Sequence, residues 1–249
     1  MKVILTIAGS DPSGGAGIQA DLATIRLLGL RGISVITAVT AQNARQFYSV
    51  NSVSPKILQS QLDAVCDAGP FHAIKIGMLG TEENVQVVAR FLKRMQDIPV
   101  ILDPVFHSST GEELLTRKGI VSLRKYLIPL ATLVTPNLQE ASILYSQKVD
   151  SVEHMKEAAQ WIYKTCSGVL GVLIKGGHLE REVTDIFFDG KEWLSFCIKK
   201  KLPQDVHGTG CVLSAAIASY LAMGDSLKVS IQKAKSQVTA YIRSSLAQK

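Results

Sequence analysis

Short apolar runs rich in β-branched residues alternate along the chain with longer segments whose apolar positions recur every three or four residues. The runs Val3–Ala8, Ile33–Thr40, Ala73–Ile76, Val100–Leu102, Leu133–Thr135 and Val172–Lys175 predict strands buried on both faces. Ala16–Leu28, Pro55–Asp67, Glu82–Met95, Leu138–Tyr145, Val152–Lys164 and Thr209–Met223 predict helices, and Leu227–Leu246 a long final one. Strand-helix alternation requires crossover connections, so the expected architecture is a doubly wound α/β sheet with helices on both faces. The rhythm breaks once, where Val183–Phe188 and Glu192–Ile198 flank Asp189-Gly190 and predict an antiparallel hairpin. No internal repeat, low-complexity tract or Pro/Ser-rich linker interrupts the 249 residues, and a single domain is expected.

Composition narrows the class. With 47% hydrophobic and 19% charged residues the chain can fill a large core and is not disordered. The net charge of +6 comes from scattered Lys and Arg, with Lys199–Lys201 as the one tight run, and no aromatic-and-basic module accompanies it. Nucleic-acid binding is therefore not expected, whereas a positive field suits small anionic substrates. Cys66, Cys166, Cys197 and Cys211 lie far apart without a CxxC pair, which argues against a disulfide framework or a zinc ribbon and for a reducing, cytoplasmic setting. The run Val3–Ala8 is too short for a signal peptide, and no stretch reaches the about 18 apolar residues of a membrane span.

In an open α/β sheet ligands bind beyond the carboxyl ends of the strands, so the loops there carry the candidate chemistry. The first, Gly9–Gly17, holds four glycines that let backbone approach a ligand or simply turn the chain. It is not a Walker A loop, because Gly15 stands where Lys is required. Gly15-x-Gly17-x-x-Ala20 imitates a dinucleotide fingerprint, but no acidic residue occurs between Asp21 and Asp63 to take the ribose, which argues against NAD. Thr40-Ala41-Gln42-Asn43 offers two amides for the edge of a heterocycle, or a turn built on Asn. Asp103-Pro104 and Pro136-Asn137-Leu-Gln-Glu140 supply oxygen ligands suited to Mg²⁺ and its waters, with helix capping by Asn137 and Glu140 as the alternative.

Lys175, at the end of a buried strand, is expected to meet an anion, with phosphate the obvious candidate, whereas His178 beside it reads as structural or surface. Gly208-Thr209-Gly210-Cys211 opens a helix of small residues, whose first-turn N–H groups and dipole would form an anion hole. There the Cys211 thiol is expected to have a pKa below its usual value, with His207 helping, unless Cys211 is only a small residue in a cap.

Seven segments together, Ala8–Asp21, Thr37–Asn43, Lys75–Leu79, Leu102–Val105, Thr135–Glu140, Lys175–His178 and His207–Cys211, resemble the hydroxymethylpyrimidine and phosphomethylpyrimidine kinases of thiamine biosynthesis, and the likeness runs from residue 3 to about 223. The resemblance implies a ribokinase-like three-layer α/β/α fold with a mostly parallel central sheet, MgATP, and phosphorylation of 4-amino-5-hydroxymethyl-2-methylpyrimidine and then of its monophosphate. It also implies a homodimer. Cys211 takes the place where most ribokinase relatives have the Asp general base. By the same resemblance, Gln42 hydrogen-bonds the pyrimidine while Gly9, Asp21, Met78 and Val105 line its pocket. Lys175 and Thr209 contact ATP, Asp103, Asn137 and Glu140 organise Mg²⁺, with Asp103 and Glu140 holding it through water, and the N–H groups of Gly208–Cys211 hold the transferring phosphoryl.

Two segments depart from the family pattern: Ala44-Arg45-Gln46-Phe47, where Thr and then Gly are usual in a loop implied to belong to a lid, and Phe106-His107, where Met or a small apolar residue is usual. The alternatives are a pyridoxine or pyridoxal kinase of the same Cys-type branch, and a ligand-binding regulator without catalysis.

Overall fold

The computed structural model describes residues 1–43, 46–67, 69–95, 97–108, 110–177, 183–198 and 208–247. Nine strands form one sheet: β1 (Val3–Ser10), β2 (Arg31–Gln42), β3 (Phe47–Ser52), β4 (Ala73–Ile76), β5 (Val100–Leu102), β6 (Leu133–Val134), β7 (Gly171–Ile174), β8 (Val183–Phe188) and β9 (Trp193–Ile198). Their spatial order is β3-β2-β1-β4-β5-β6-β7-β8-β9. From β2 to β7 every pairing is parallel, and β3, β8 and β9 add antiparallel margins. The mostly parallel α/β sheet expected from the alternation is the one observed, and the Asp189-Gly190 hairpin forms between β8 and β9.

The helices are α1 (Gly17–Leu27), α2 (Pro55–Cys66), α3 (Glu82–Leu92), α4 (Arg117–Ser122), α5 (Leu138–Tyr145), α6 (Val152–Thr165), α7 (Thr209–Met223) and α8 (Leu227–Ala247). Side chains alternate across each strand, so each strand feeds two cores. Leu5, Ile7, Ile74, Ile76, Leu102, Val134 and Ile174 pack with α2, α3, α5 and α6. Ile4, Ala73, Ile101, Leu133 and Leu173 face the other way, onto α7 and α8. The α7 side is built of Ala215, Ala216, Ala218 and Ala222, small residues that let the helix lie close on the sheet.

That two-residue period decides where the chemistry goes. Thr6 and Lys75 share the parity of Ile4 and Ala73, Asp103 that of Ile101, Thr135 that of Leu133, and Lys175 that of Leu173. All five therefore fall on the α7 face, near the carboxyl ends of adjacent strands.

Two features differ from the sequence reading. Phe47–Ser52 is an edge strand where none was expected; every one of its residues is at least partly exposed, so no buried stripe marks it. Arg117–Leu130 is helical throughout, α4 running through a π turn at Leu123–Leu127 into a 3₁₀ turn at Ile128–Leu130, where no element was expected.

Candidate active site

The carboxyl ends of β1, β2, β4, β5, β6 and β7 surround a cleft of about 540 Å³, closed on one side by the start of α7. That volume suits a small organic ligand. Gly208 caps α7 in the left-handed region, with φ of 84°, and offers no side-chain cap. The first helical bond runs from Val212 N–H to the Gly208 carbonyl at 3.0 Å. The preceding N–H groups of Thr209, Gly210 and Cys211 thus lie in the uncapped first turn, and these residues line the cleft. An anion at that point meets these donors and the positive end of the helix dipole.

Opposite the helix start, Lys175 Nζ donates to Asp103 Oδ1 at 2.6 Å, and Thr135 Oγ1 donates to the same oxygen at 3.1 Å. Gly210 lies against this pair: a Cβ there would stand 3.3 Å from Lys175 Nζ and 3.5 Å from Asp103 Oδ2. Burial disfavours the ammonium, but Asp103 and Glu140 outweigh it and raise the Lys175 pKa. Burial likewise works against Asp103, while Lys175 and Lys75 hold its carboxyl below the usual range. The anion expected for Lys175 is, in this structure, the carboxylate of Asp103.

Asn137 caps α5 in a full capping box: its Oδ1 accepts from Glu140 N–H at 2.8 Å, and Glu140 Oε2 accepts from Asn137 N–H at 2.7 Å. The capping role weighed for this pair is present, and both residues also line the cleft. Burial, reinforced by Asp103 and opposed by Lys175, pushes the Glu140 carboxyl up to about 7. Among the described residues no group of three or more His, Cys, Asp or Glu could hold a metal. Two cleft carboxylates do fit Mg²⁺, which keeps several waters and takes other ligands from phosphates.

The far wall is apolar. Met78 and Leu114 pack with Ala38, and Phe47 and Val105 lie against them. Gln42, Thr40, His107, Ser108 and Thr110 add polar groups around this pocket.

The chain matches the family model described as phosphomethylpyrimidine kinase over residues 11–249. It is 41% identical over 245 residues to the hydroxymethylpyrimidine/phosphomethylpyrimidine kinase of Aquifex aeolicus, covering 98% of this chain and 95% of that one. This chain belongs to the phosphomethylpyrimidine kinase family. It is also 44% identical over 241 residues to the thiamine biosynthesis bifunctional protein ThiED of Geobacter sulfurreducens, spanning 96% of this chain but 49% of the relative's length. Among solved structures, the Staphylococcus aureus pyridoxal kinase in complex with AMP-PCP superposes with a TM-score of 0.89 at 36% identity, covering 97% of this chain and 88% of that one.

As a phosphomethylpyrimidine kinase family member, the chain brings Gly9, Gln42, Met78, Val105, Asp103, Asn137, Glu140, Lys175 and Gly208–Cys211 to one cleft. Asp21 is the exception and corrects the sequence reading. It does not line the pocket but lies fully buried beneath it, its Oδ2 accepting from Lys75 Nζ at 2.8 Å and from Thr6 Oγ1 at 2.5 Å. The pKa expectation for Cys211 is also reversed: burial raises the thiol to about 11, outweighing the Lys75 charge and the Gly17 N–H that favour the thiolate. The helix start is real, but desolvation is the larger effect. His207 and His178 lie outside the described residues.

Of the departing segments, Phe106 points into the large core and never meets the cleft, whereas His107 and Phe47 do line it. Asn43 serves the turn, its N–H and Oδ1 pairing with the backbone of Gln46, and leaves the cleft to Gln42. Sequence reasoning assigned no role to Asp11 or Lys75. The Asp11 carboxylate gathers the N–H groups of Ser13 and Ala16 at 2.9 and 2.8 Å, shaping the glycine-rich loop. Both were visible as ionisable residues within or directly after apolar strands.

Glu140 also yields a stability prediction. Its carboxyl is raised from 4.5 to about 7 on folding, so the stability its proton contributes is complete below about pH 4.5 and is lost as pH rises through 7. Glu140→Gln keeps an oxygen for the cap and cannot ionise. Urea midpoints at about pH 5 and pH 8 should show wild type losing on the order of 1–3 kcal/mol more than the variant; equal losses refute it.

Proposed function

We propose that this chain transfers the γ-phosphoryl group of MgATP to the hydroxymethyl group of 4-amino-5-hydroxymethyl-2-methylpyrimidine, and then to the resulting monophosphate, in thiamine diphosphate biosynthesis. The observation that carries this reading is the junction, in one cleft, of an uncapped helix start at Gly208–Cys211 with an apolar slot of Met78, Val105 and Leu114 flanked by Gln42. A flat heterocycle fits the slot, and bound there it would direct its exocyclic carbon to the anion site. The Gln42 amide makes no hydrogen bond to the described residues and is free to pair with a ring nitrogen or an exocyclic amine.

In the transfer, the substrate oxygen forms a bond to the γ-phosphorus while the bond to the bridging oxygen of ADP breaks. In the first transfer the hydroxymethyl proton passes to the Cys211 sulfur in its thiolate form; the monophosphate, with a second pKa of about 6, attacks as an anion. The first-turn N–H groups of α7 and Lys175 stabilise charge on the transferring oxygens. Asp103 and Glu140 would hold Mg²⁺ through water, and the ion would neutralise the polyphosphate. Asn137 orients Glu140, and Thr209 contacts the nucleotide. The chain acts as a homodimer in the cytoplasm, as the family resemblance implies.

Mass-spectrometric product analysis with MgATP and, in turn, hydroxymethylpyrimidine, its monophosphate and pyridoxine tests the reading. Both pyrimidines should turn over with kcat/KM at least about tenfold above pyridoxine. A preference for pyridoxine favours the second reading, a pyridoxal-type kinase, which the likeness to the Staphylococcus aureus enzyme supports. Lys175→Ala should raise the KM for MgATP about tenfold or more while leaving that for the pyrimidine within threefold. Equal losses would remove Lys175 from the nucleotide site.

A further inference from the structure

Beneath the cleft floor lies an ion pair that the transfer step described above does not use. Lys75 and Asp21 are both completely buried, Nζ to Oδ2 at 2.8 Å. Thr6, which pairs with Lys75 in the β1–β4 register, donates to the same carboxylate oxygen. The pair is incompletely satisfied on both sides. Asp21 Oδ1 is buried with no hydrogen-bond partner, and Asp21 is the single hydrogen-bond partner of Lys75 among the described residues, which leaves two of three ammonium donors unspent. A buried charge held this way is costly, and apolar residues of similar volume would serve the core as well or better.

Although fully buried, the ammonium lies directly under the cleft. Lys75 contributes to its lining together with Gly77 and Cys211. A Cβ on Gly77 would stand 2.9 Å from Lys75 Nζ and 3.2 Å from the Ala8 methyl, so the absent side chain is what leaves room for the ammonium in the cleft wall. α1, which carries Asp21, packs along α7, which carries Cys211, and the Gly17 N–H that opens α1 favours the Cys211 thiolate.

We infer that Lys75 is a positioning residue for the phosphoryl transfer: its ammonium, oriented by Asp21 and Thr6, given room by Gly77 and sharing the cleft wall with Cys211, stabilises the thiolate that accepts the substrate's proton. The charged groups acting on that sulfur are Asp21 from α1, Lys75 from β4, Asp103 after β5 and Lys175 after β7. Lys75 is the strongest of the charges acting on Cys211 and favours the thiolate; Asp21 and Asp103 oppose it. Lys75 itself stays protonated: burial disfavours its charge, but Asp21, Cys211 and Asp103 together raise its pKa. The cation is therefore constant across the working pH range, and the proton moves only between substrate oxygen and sulfur.

The inference rests on the proton-acceptor role of Cys211, and its test separates the two. The readout is the rate at which iodoacetamide alkylates Cys211 in the free enzyme, followed by peptide mass spectrometry, which needs no substrate. Lys75→Met should slow this alkylation at least tenfold at fixed pH. Because that variant strands Asp21 in a dry site and can fail to fold, the neutral pair Asp21→Asn/Lys75→Met is measured beside it. There the alkylation should slow at least threefold, with kcat falling at least tenfold and both KM values within threefold of wild type. Unchanged alkylation in the neutral pair overturns the inference whatever happens to kcat, since a scaffold role alone predicts that result. A KM rise that accounts for the whole loss overturns it equally.

Discussion

Cys211→Ala is expected to lower kcat for hydroxymethylpyrimidine by about 10² to 10⁴ while leaving the KM for MgATP within a few-fold, because the side chain acts on the hydroxyl proton and not on the nucleotide. The substitution removes one sulfur from a helix start whose N–H groups come from the backbone, so the anion site survives. It also predicts a pH signature. With the thiol raised to about 11, Cys211 is protonated at neutral pH, and the active thiolate grows tenfold with each pH unit. Wild-type log kcat should climb between about pH 7 and pH 9, and the Cys211→Ala profile should be flat. Stopped assays of ADP release over that range, with the variant's fold checked by circular dichroism, decide the matter. Turnover of Cys211→Ala within a few-fold of wild type would falsify the proton-acceptor role while leaving the kinase assignment intact.

Much of this site is legible in the sequence because a parallel sheet converts linear spacing into spatial order. Asp103, Thr135 and Lys175 each stand just past a short apolar run, and the period of two sends all three to the α7 face. Lys75 carries the same signal as Lys175, a cation inside an apolar run, yet its partner comes from a helix 54 residues earlier, a pairing that spacing alone does not reveal. The family resemblance implies Asp21 in the pocket wall, although it falls at i+3 from Ile18 and i−4 from Ile25, on the buried stripe of α1. That stripe points under the floor. Cys211 shows a different limit: the helix start is visible as Gly-x-Gly before a run of small residues, but whether dipole or desolvation wins depends on how tightly the neighbours close around the sulfur. β3 left no trace because an exposed edge strand needs no apolar stripe.

Gly208→Ala should damage both activity and stability, since among the glycines described its added Cβ meets the shortest contact. Gly208 sits at φ of 84°, a conformation that costs other residues about 1–2 kcal/mol, and its Cα faces the Gly15 carbonyl so closely that an added Cβ would overlap that oxygen. The obstacle is backbone, which cannot swing away as a side chain can. Either the start of α7 or the glycine-rich loop must retreat, and both line the cleft, one through Gly208–Cys211 and the other through Gly9–Asp11, Ala16 and Gly17. A displacement of about 1 Å at a reacting centre can cost on the order of 10²-fold in rate. Gly208→Ala should therefore lose at least 10²-fold in kcat and about 2–4 kcal/mol in stability by urea unfolding. Gly177→Ala is the matched control: no atom of the described residues lies within 4 Å of its added Cβ and its φ is not left-handed, so its urea midpoint should stay at that of wild type. If Gly208→Ala keeps both its midpoint and its kcat within a few-fold, the contact between the two glycine loops does not position the anion site.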